Sequence, residues 1–546
     1  MEEIREQLKQ AIKNLYNLDF DPELTVSPAN IDADYSTNAP LKLAKDLHKA
    51  PTEIAGELKT NLEELQISIS MPGFLNFKIP TDVLNNAINN LYNDFDGGVK
   101  SDDYAGKTVI CEFSDPNPFK VLHVGHLYTS VVGDSISRLY EYAGANVIRA
   151  NFGGDVGLHV AKTLYVLQQK PQENFTIEDI AKCYVEGTAA YDDDEAAHAE
   201  ITKINKEIYD INTNDKHDTR LAELYWQGRT LSYDYFKDFY ASIGLTFDKY
   251  YPESSVAGLG LKTVKEQLEK GVYEVSDGAV IFDGDKYGLH TRVFINKEGV
   301  PTYEAKDVGL IFTKWQDYHF DKSVVITGSE QLDYMKVVLK SVEQYAPDLV
   351  AKTSHLTHGL VKLPGNVKMS SRKGNFLKAV DVIDMVKEAL KSDYNSSDEK
   401  VALAATKYAF LKYKMGGNII FDPKESVKMT GNSGPYLLYS AVRAKKILAN
   451  CKNSQGTDHD YNVYEKNLAK ALLGYRDVLA EAVREMAPHK LANYLYELAQ
   501  EFSRFYENCT VAGSAEEAGR AKLVKVYLDT MTHGLNILGI EIPEVM

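Results

Sequence analysis

The stretch Phe113-Ser-Asp-Pro-Asn-Pro-Phe-Lys-Val-Leu-His-Val-Gly-His126 joins two predicted elements. Before it, Lys107-Thr-Val-Ile-Cys-Glu-Phe reads as a buried strand, and after it an amphipathic helix is predicted from about His123 to Tyr142. Gly144 follows as a stop signal, and Asn146–Asn151 predicts the next strand. Strand, helix and strand within about 45 residues make a right-handed βαβ unit, the building block of a doubly wound parallel sheet. Backbone N–H groups at the start of such a helix form an anion site. His123 and His126, three apart at the helix entry, can donate hydrogen bonds to phosphate oxygens, and Gly125 lets a flat ring approach the backbone. The chemistry suggested is stabilisation of a phosphoryl group that gains charge as it is attacked. A bare His-x-Gly-His fits equally well two polar residues that start a buried helix.

A second signal lies about 245 residues downstream in Lys368-Met-Ser-Ser-Arg-Lys-Gly-Asn, predicted as a loop after a late strand. Lys368, Arg372 and Lys373 with Gly365 and Gly374 make a cationic loop suited to a triphosphate. Alone, such a loop reads as solvated surface; paired with the histidine motif across one split sheet, it is specific.

Around this core the pattern changes. Residues 1 to about 95 predict a small α+β unit, with helical spacing at Ile4, Leu8, Ile12 and Leu15 and strands at Gln66–Ser70 and Phe74–Ile79. A Gly- and Asp-rich break at Asp94-Phe-Asp-Gly-Gly suggests a linker. Between about 160 and 300 an acidic helical run and hairpin-like alternation over Asp277–Asn296 suggest an insertion in the sheet, which resumes at Ser323-Val-Val-Ile-Thr-Gly and Ser354–Val361. From 401 to 546 the periodicity is helical, predicting a separate bundle. The fold class expected is multidomain α/β: a small α+β domain over 1–95, a Rossmann-like doubly wound parallel-sheet domain over 96–400, and an all-α bundle over 401–546.

The motifs together resemble a class I aminoacyl-tRNA synthetase, and closely the arginyl-tRNA synthetases. His123-Val-Gly-His126 matches the first class I signature, and Lys368-Met-Ser-Ser-Arg372 resembles the second. Ser114, Pro116, Asn117 and Lys120 fall on the family's Ser-x-Pro-Asn-x-x-Lys-x-x-His run. Asn151-Phe-Gly-Gly-Asp-Val-Gly, Gly434-Pro-Tyr-Leu-Leu-Tyr-Ser-Ala-Val-Arg-Ala and Gly73-Phe-Leu-Asn-Phe77 resemble further family segments, so the likeness covers nearly the whole chain. It implies ATP binding by Ser114, Pro116, His123, Gly125, His126, Met369, Ser370 and Ser371. Catalytic contacts fall to Lys120, His123, Gly125, His126, Lys368, Arg372 and Lys373, with Mg²⁺ accompanying ATP. Two departures stand out. Ser371 replaces the second signature lysine, which brings Lys120 forward as a compensating cation, and His159 replaces a more usual glutamine.

A guanidinium pocket needs carboxylates in bidentate geometry and often an aromatic wall. Pro301-Thr-Tyr-Glu-Ala-Lys-Asp-Val-Gly predicts a loop entering a helix, which puts Tyr303 and Asp307 on one face. The resemblance maps Tyr303, Asp307 and Glu112 onto the guanidinium site, and Asn117 and Gln331 onto the α-amino site. It also implies tRNA contact by the helical bundle, at Tyr436 and Arg443, and by the N-terminal unit, where Phe74 and Asn76 suit stacking and hydrogen bonding to a splayed base. The partners implied are tRNA(Arg), L-arginine and ATP, with a monomer as the family expectation. Three other readings differ in what they need. A cysteinyl-type enzyme would carry zinc-ligand cysteines, a nucleotidyltransferase would not need the helical C-terminal third, and a non-catalytic RNA-binding relative would have lost His123, Gly125 or His126.

Composition bounds the rest. No stretch approaches the run of about 18 apolar residues that a membrane helix needs, and the N-terminus lacks a signal-peptide pattern, so no membrane partner and a cytoplasmic location are expected. Cys111, Cys183, Cys451 and Cys509 are scattered, which suits free thiols. The formal net charge of −17 reads at first against a nucleic-acid partner. The distribution answers it: residues 354–450 hold sixteen basic and eight acidic side chains, a local +8, and the remainder carries −25.

Overall fold

In the structure, a computed structural model that describes residues 2–27, 31, 33–63, 65–170, 174–365, 377–452 and 459–546, the quoted stretch links β1 (Thr108–Glu112) to the helix Val124–Tyr142. The strands β2 (Asn146–Gly153), β3 (Lys249–Pro252), β4 (Lys322–Gly328) and β5 (Thr353–His358) complete one sheet in the order β5-β4-β1-β2-β3. All its pairings are parallel, with Glu112 opposite Ala150 on one side and Val325 on the other. The chain runs outward from β1 through β2 to β3, then crosses to β4 and β5 on the other side of β1. The gap between β1 and β4 is therefore the switch point at which doubly wound sheets bind ligands. Burial on both faces explains the apolar runs of Val109–Cys111 and Val324–Ile326.

The helix Val124–Tyr142 is buried on nearly all sides, so its hydroxyls must be satisfied locally. Thr129, Ser130 and Ser137 each donate to the carbonyl four residues back, at 2.7 to 2.8 Å. A side chain at Gly133 would meet the Phe113 ring at 2.1 Å, so this glycine lets the helix lie against the end of β1.

The segment assigned to an insertion holds the helices Leu158–Leu167, Ile177–Asp193, Glu195–Thr213 and Arg220–Ser242. It also holds β3, the edge strand of the main sheet, which sequence reading missed because Lys-Tyr-Tyr-Pro is short and ends in proline. The hairpin expectation corresponds to an antiparallel sheet of Glu274–Ser276, Ala279–Phe282 and Arg292–Ile295. The helix Tyr303–Tyr318 follows, packing Val308, Leu310 and Ile311 into the core beneath the sheet.

By contact density the described chain forms two units. One spans Lys100–Val442, Val478–Tyr496 and Met531–Met546 and contains the parallel sheet. The other spans Met1–Val99, Arg443–Asp477 and Glu497–Thr530, so the C-terminal helices are shared between the two. In this second unit an antiparallel sheet, ordered Thr25–Val26, Tyr35–Thr37, Phe74–Lys78, Gln66–Ser70, packs against helices through Leu8, Ile12, Leu43, Ile54, Leu58 and Phe77.

Candidate active site

A cavity of ≈ 1230 Å³ opens where β1 and β4 end, lined by Glu112, Thr327 and Gly328, by the start of the helix Val124–Tyr142, and by the helix Tyr303–Tyr318. This volume exceeds that of a single small-ligand pocket, typically about 300–1,000 Å³, and suits two substrates side by side.

The helix entry fixes the two histidines. The backbone N–H of Gly125 donates to His123 Nδ1 and that of His123 donates to His126 Nδ1, both at 3.1 Å. With both Nδ1 atoms accepting, each neutral ring carries its proton on Nε2. The rings stack 3.8 Å apart. Burial, followed by the Lys120 charge, lowers His123 to about 4. Burial pushes His126 well below its ordinary value, helped by His123 and Lys120. Both are therefore uncharged donors at neutral pH. A side chain at Gly125 would come within 2.9 Å of the His123 ring, so the ring that needs this glycine is the motif's own histidine. Residues Leu377 to Ala379 are stitched to the same turn: Val124 N–H donates to Leu377 O at 2.9 Å and Ala379 N–H to Leu122 O at 3.0 Å.

The opposite wall is acidic. Glu112 is ion-paired in the interior with Lys314, which also reaches Ser323 Oγ at 3.3 Å. Glu253 is paired with Lys306 at 2.7 Å, and Glu304 with Arg292 at 3.4 Å. Asp307 accepts a hydrogen bond from the Tyr334 hydroxyl. Burial drives the Asp307 carboxyl up to about 7, with Glu112 and Glu253 adding to the rise and the Tyr334 hydroxyl and Lys314 opposing it. Asp115, at a left-handed φ of 50°, accepts from Phe152 N–H at 2.8 Å. Burial, then the Glu112 charge, pushes its carboxyl well above the usual range.

The cavity brings together Glu112, Ser114, Asn117, His123, Gly125, His126, Tyr303, Asp307 and Gln331. Ser114 contributes backbone rather than hydroxyl, because its Oγ is taken up by Tyr240 at 2.8 Å and Ser130 at 3.0 Å. Pro116 and Lys120 do not line it; the Lys120 ammonium lies 4.9 Å from the Tyr184 ring centroid. Lys368, Met369, Ser370, Ser371, Arg372 and Lys373 lie outside the described residues. His159 donates to Gly154 O at 2.8 Å, and Gly154 N–H donates to Asn117 Oδ1 at 2.8 Å, so the departure at His159 braces the turn that orients Asn117. Asn76 is corrected: it is fully buried, and both ends of its amide are engaged by Ser36 and Ser70 at 2.7 Å, which leaves nothing for a base. In the same unit Phe74 is half-buried, and Arg443 lies over the Tyr506 ring at 4.7 Å. Tyr436 meets Tyr496 edge-on at 5.8 Å. Sequence reading missed Asp115, Glu253, Arg292, Glu304, Lys314, Tyr334 and His358, which tertiary pairing alone brings here. Among the described residues no group of three or more His, Cys, Asp or Glu side chains is arranged to hold a metal.

The profile described as tRNA synthetases class I (R), catalytic domain, matches residues 88–422, more than half of the chain. The chain belongs to the arginyl-type class I tRNA synthetases. Residues 2–79 match the arginyl tRNA synthetase N-terminal domain, and 437–546 the DALR anticodon-binding domain. An arginine–tRNA ligase of Treponema denticola is 29% identical, over 92% of this chain and 91% of its own. One of Clostridium perfringens is 28% identical over 100% and 99%. The fold is that of the Thermus thermophilus arginyl-tRNA synthetase structure, with a TM-score of 0.80 at 24% identity and full coverage of both chains.

Proposed function

We propose that this cavity activates L-arginine with ATP and that the chain transfers the arginyl group to the 3′-terminal adenosine of tRNA(Arg), as an arginine–tRNA ligase. The observation that carries the reading is the pairing, in one cavity at the switch point, of two neutral imidazole donors with an acidic wall built around Asp307. An oxygen of the arginine carboxylate attacks the α-phosphorus of ATP. The bond from that phosphorus to the bridging oxygen breaks, and pyrophosphate leaves with the electron pair. An adenosine hydroxyl of the tRNA then attacks the activated carbonyl, and AMP leaves.

His123 and His126 donate from Nε2 to the phosphate oxygens as charge moves onto them, a positioning and electrostatic role. Asp307 with the Tyr303 ring receives the guanidinium, and Gln331 stands at the rim for the amino-acid head. Lys368, Arg372 and Lys373 are proposed to act on pyrophosphate; their segment runs between the cavity residues Lys362 and Leu377. Lys120 is a secondary cation that acts through its field on the histidines. Mg²⁺ is proposed as the companion of ATP, with no step assigned to it. For the polynucleotide, Tyr436, Arg443 and the net positive stretch 354–450 are the proposed contacts. The functional division 1–95, 96–400 and 401–546, a monomeric state, a cytoplasmic location and tRNA-dependent activation belong to the same proposal. Among the described residues no helix is long and apolar enough to cross a membrane. The experiment that tests the reading is transfer of labelled arginine to bulk tRNA by the purified chain.

A further inference from the structure

The carboxylates of the cavity divide by what already neutralises them. Glu112, Glu253 and Glu304 each have a cationic side chain of the protein: Lys314, Lys306 and Arg292. Glu330 is exposed at the rim, where water solvates it. Two inward carboxylates have no cationic side chain among the described residues. Asp307 has the Tyr334 hydroxyl, and Asp115 has the single Phe152 N–H on Oδ1. Two uncompensated anions in one enclosed site call for two positive charges from the ligand, since an unpaired buried carboxylate is costly. Free arginine carries two: the guanidinium and the α-ammonium.

Geometry divides the two charges. Asp307 lies on the helix Tyr303–Tyr318, on one face with Tyr303. Asp115 lies in the loop after β1, beside Asn117, and both side chains are tied to the end of β2 through Phe152 and Gly154. Asn117 accepts from Gly154 N–H with Oδ1, which keeps its two Nδ2 hydrogens for a ligand. Side by side, then, stand one acceptor, Asp115 Oδ2, and one donor, Asn117 Nδ2. An amino-acid head presents the complementary pair, an ammonium and a carboxylate on one carbon.

We propose that Asp115 is a specificity-determining residue that takes the substrate's α-ammonium, with Asn117 Nδ2 facing the adjoining carboxylate. This rests on the arginine reading above, and it moves Asn117 from the ammonium to the carboxylate. The left-handed backbone at Asp115 matters here, because it turns the side chain back towards the Phe152 amide and so sets Oδ2 into the cavity.

The test is arginine charging by the full-length chain, parent against Asp115→Asn, a variant that keeps the acceptor for Phe152 N–H and so the loop. Two analogues serve as competitive inhibitors: agmatine, which lacks the carboxylate, and 5-guanidinopentanoate, which lacks the ammonium. Losing a charge-assisted hydrogen bond raises the arginine KM and the agmatine Ki about 10- to 100-fold. The Ki of 5-guanidinopentanoate stays within about 2-fold of the parent's, because its interaction with Asp115 was never made. An equal rise for all three ligands would overturn the proposal by placing Asp115 at the guanidinium or in a structural role. An unchanged arginine KM would overturn it as well. A parent chain that charges no arginine would instead remove the reading on which the proposal stands, an outcome the parent measurement alone reveals.

Discussion

Removing the Tyr334 hydroxyl tests how the cavity keeps its guanidinium anchor charged. Tyr334 donates to Asp307, whose carboxyl is driven up to about 7 chiefly by burial. A hydrogen bond to a charged acceptor contributes about 1.5–3 kcal/mol, and about 1.4 kcal/mol is one pKa unit. Tyr334→Phe therefore lifts Asp307 to roughly 8–9. The ring survives, so its stack under the Arg292 guanidinium at 5.4 Å is kept. At pH 7.5 the ionised fraction of Asp307 falls from about three-quarters to between roughly a quarter and a thirtieth. Only the ionised form holds a guanidinium, so the arginine KM rises about 3- to 25-fold relative to the parent. At pH 9 both proteins are largely ionised, and the ratio falls to about 2-fold or less. The direction is that of an acid with a raised pKa: the group is charged above that pKa and loses its charge as pH falls through it. The groups facing Asp307 are Glu112 from β1, Glu253 from the helix Glu253–Glu269, Tyr334 from the helix Leu332–Glu343, and Lys314 on its own helix. The assay is initial-rate charging against arginine at both pH values, read as the ratio of variant to parent so that the substrate's own titration cancels. A ratio that is the same at pH 7.5 and pH 9, or no change at pH 7.5, refutes the reasoning.

Two further outcomes follow from the histidine pair and from the family. His126→Ala loses one Nε2 donor aimed at the phosphates and also frees the His123 N–H, and turnover in arginine activation falls about 10²- to 10³-fold with the arginine KM little changed; activation at the parent rate contradicts the role. Adenylate formation depends on bound tRNA, so arginine-dependent ATP–pyrophosphate exchange is expected to rise sharply when tRNA is added, and full-rate exchange without it contradicts that dependence.

The parts of the molecule that were legible in sequence are the local ones. The strand before Ser114, the helix after His123 and the Gly-terminated turn are set by residues within about twenty positions of each other, and periodicity reads at that range. Tyr303 and Asp307 were readable because one helical turn puts them on one face. The failures are non-local. β3 is a strand only because it pairs with the end of β2, from Ala150 to Gly153, and its four residues carry no alternation. Asp115 becomes a cavity residue through the Phe152 amide, 37 positions away, and Glu112 acquires Lys314 from 202 positions away. Asn76 looked like a base contact from its neighbours, yet the register that sets it between Ser36 and Ser68 on adjacent strands buries it. Net charge misled in the same manner, since the average of −17 conceals a positive stretch long enough to face a polyanion.

The most direct test of the account is the identity of the amino acid that the purified chain attaches to tRNA. Bulk tRNA, ATP, Mg²⁺ and each labelled amino acid in turn are incubated with the chain, and acid-precipitable label is counted. The account predicts label from arginine alone, dependent on ATP, with lysine and citrulline rejected because neither fills a bidentate carboxylate site with a planar cation. Label from another amino acid, or none from arginine, would contradict it.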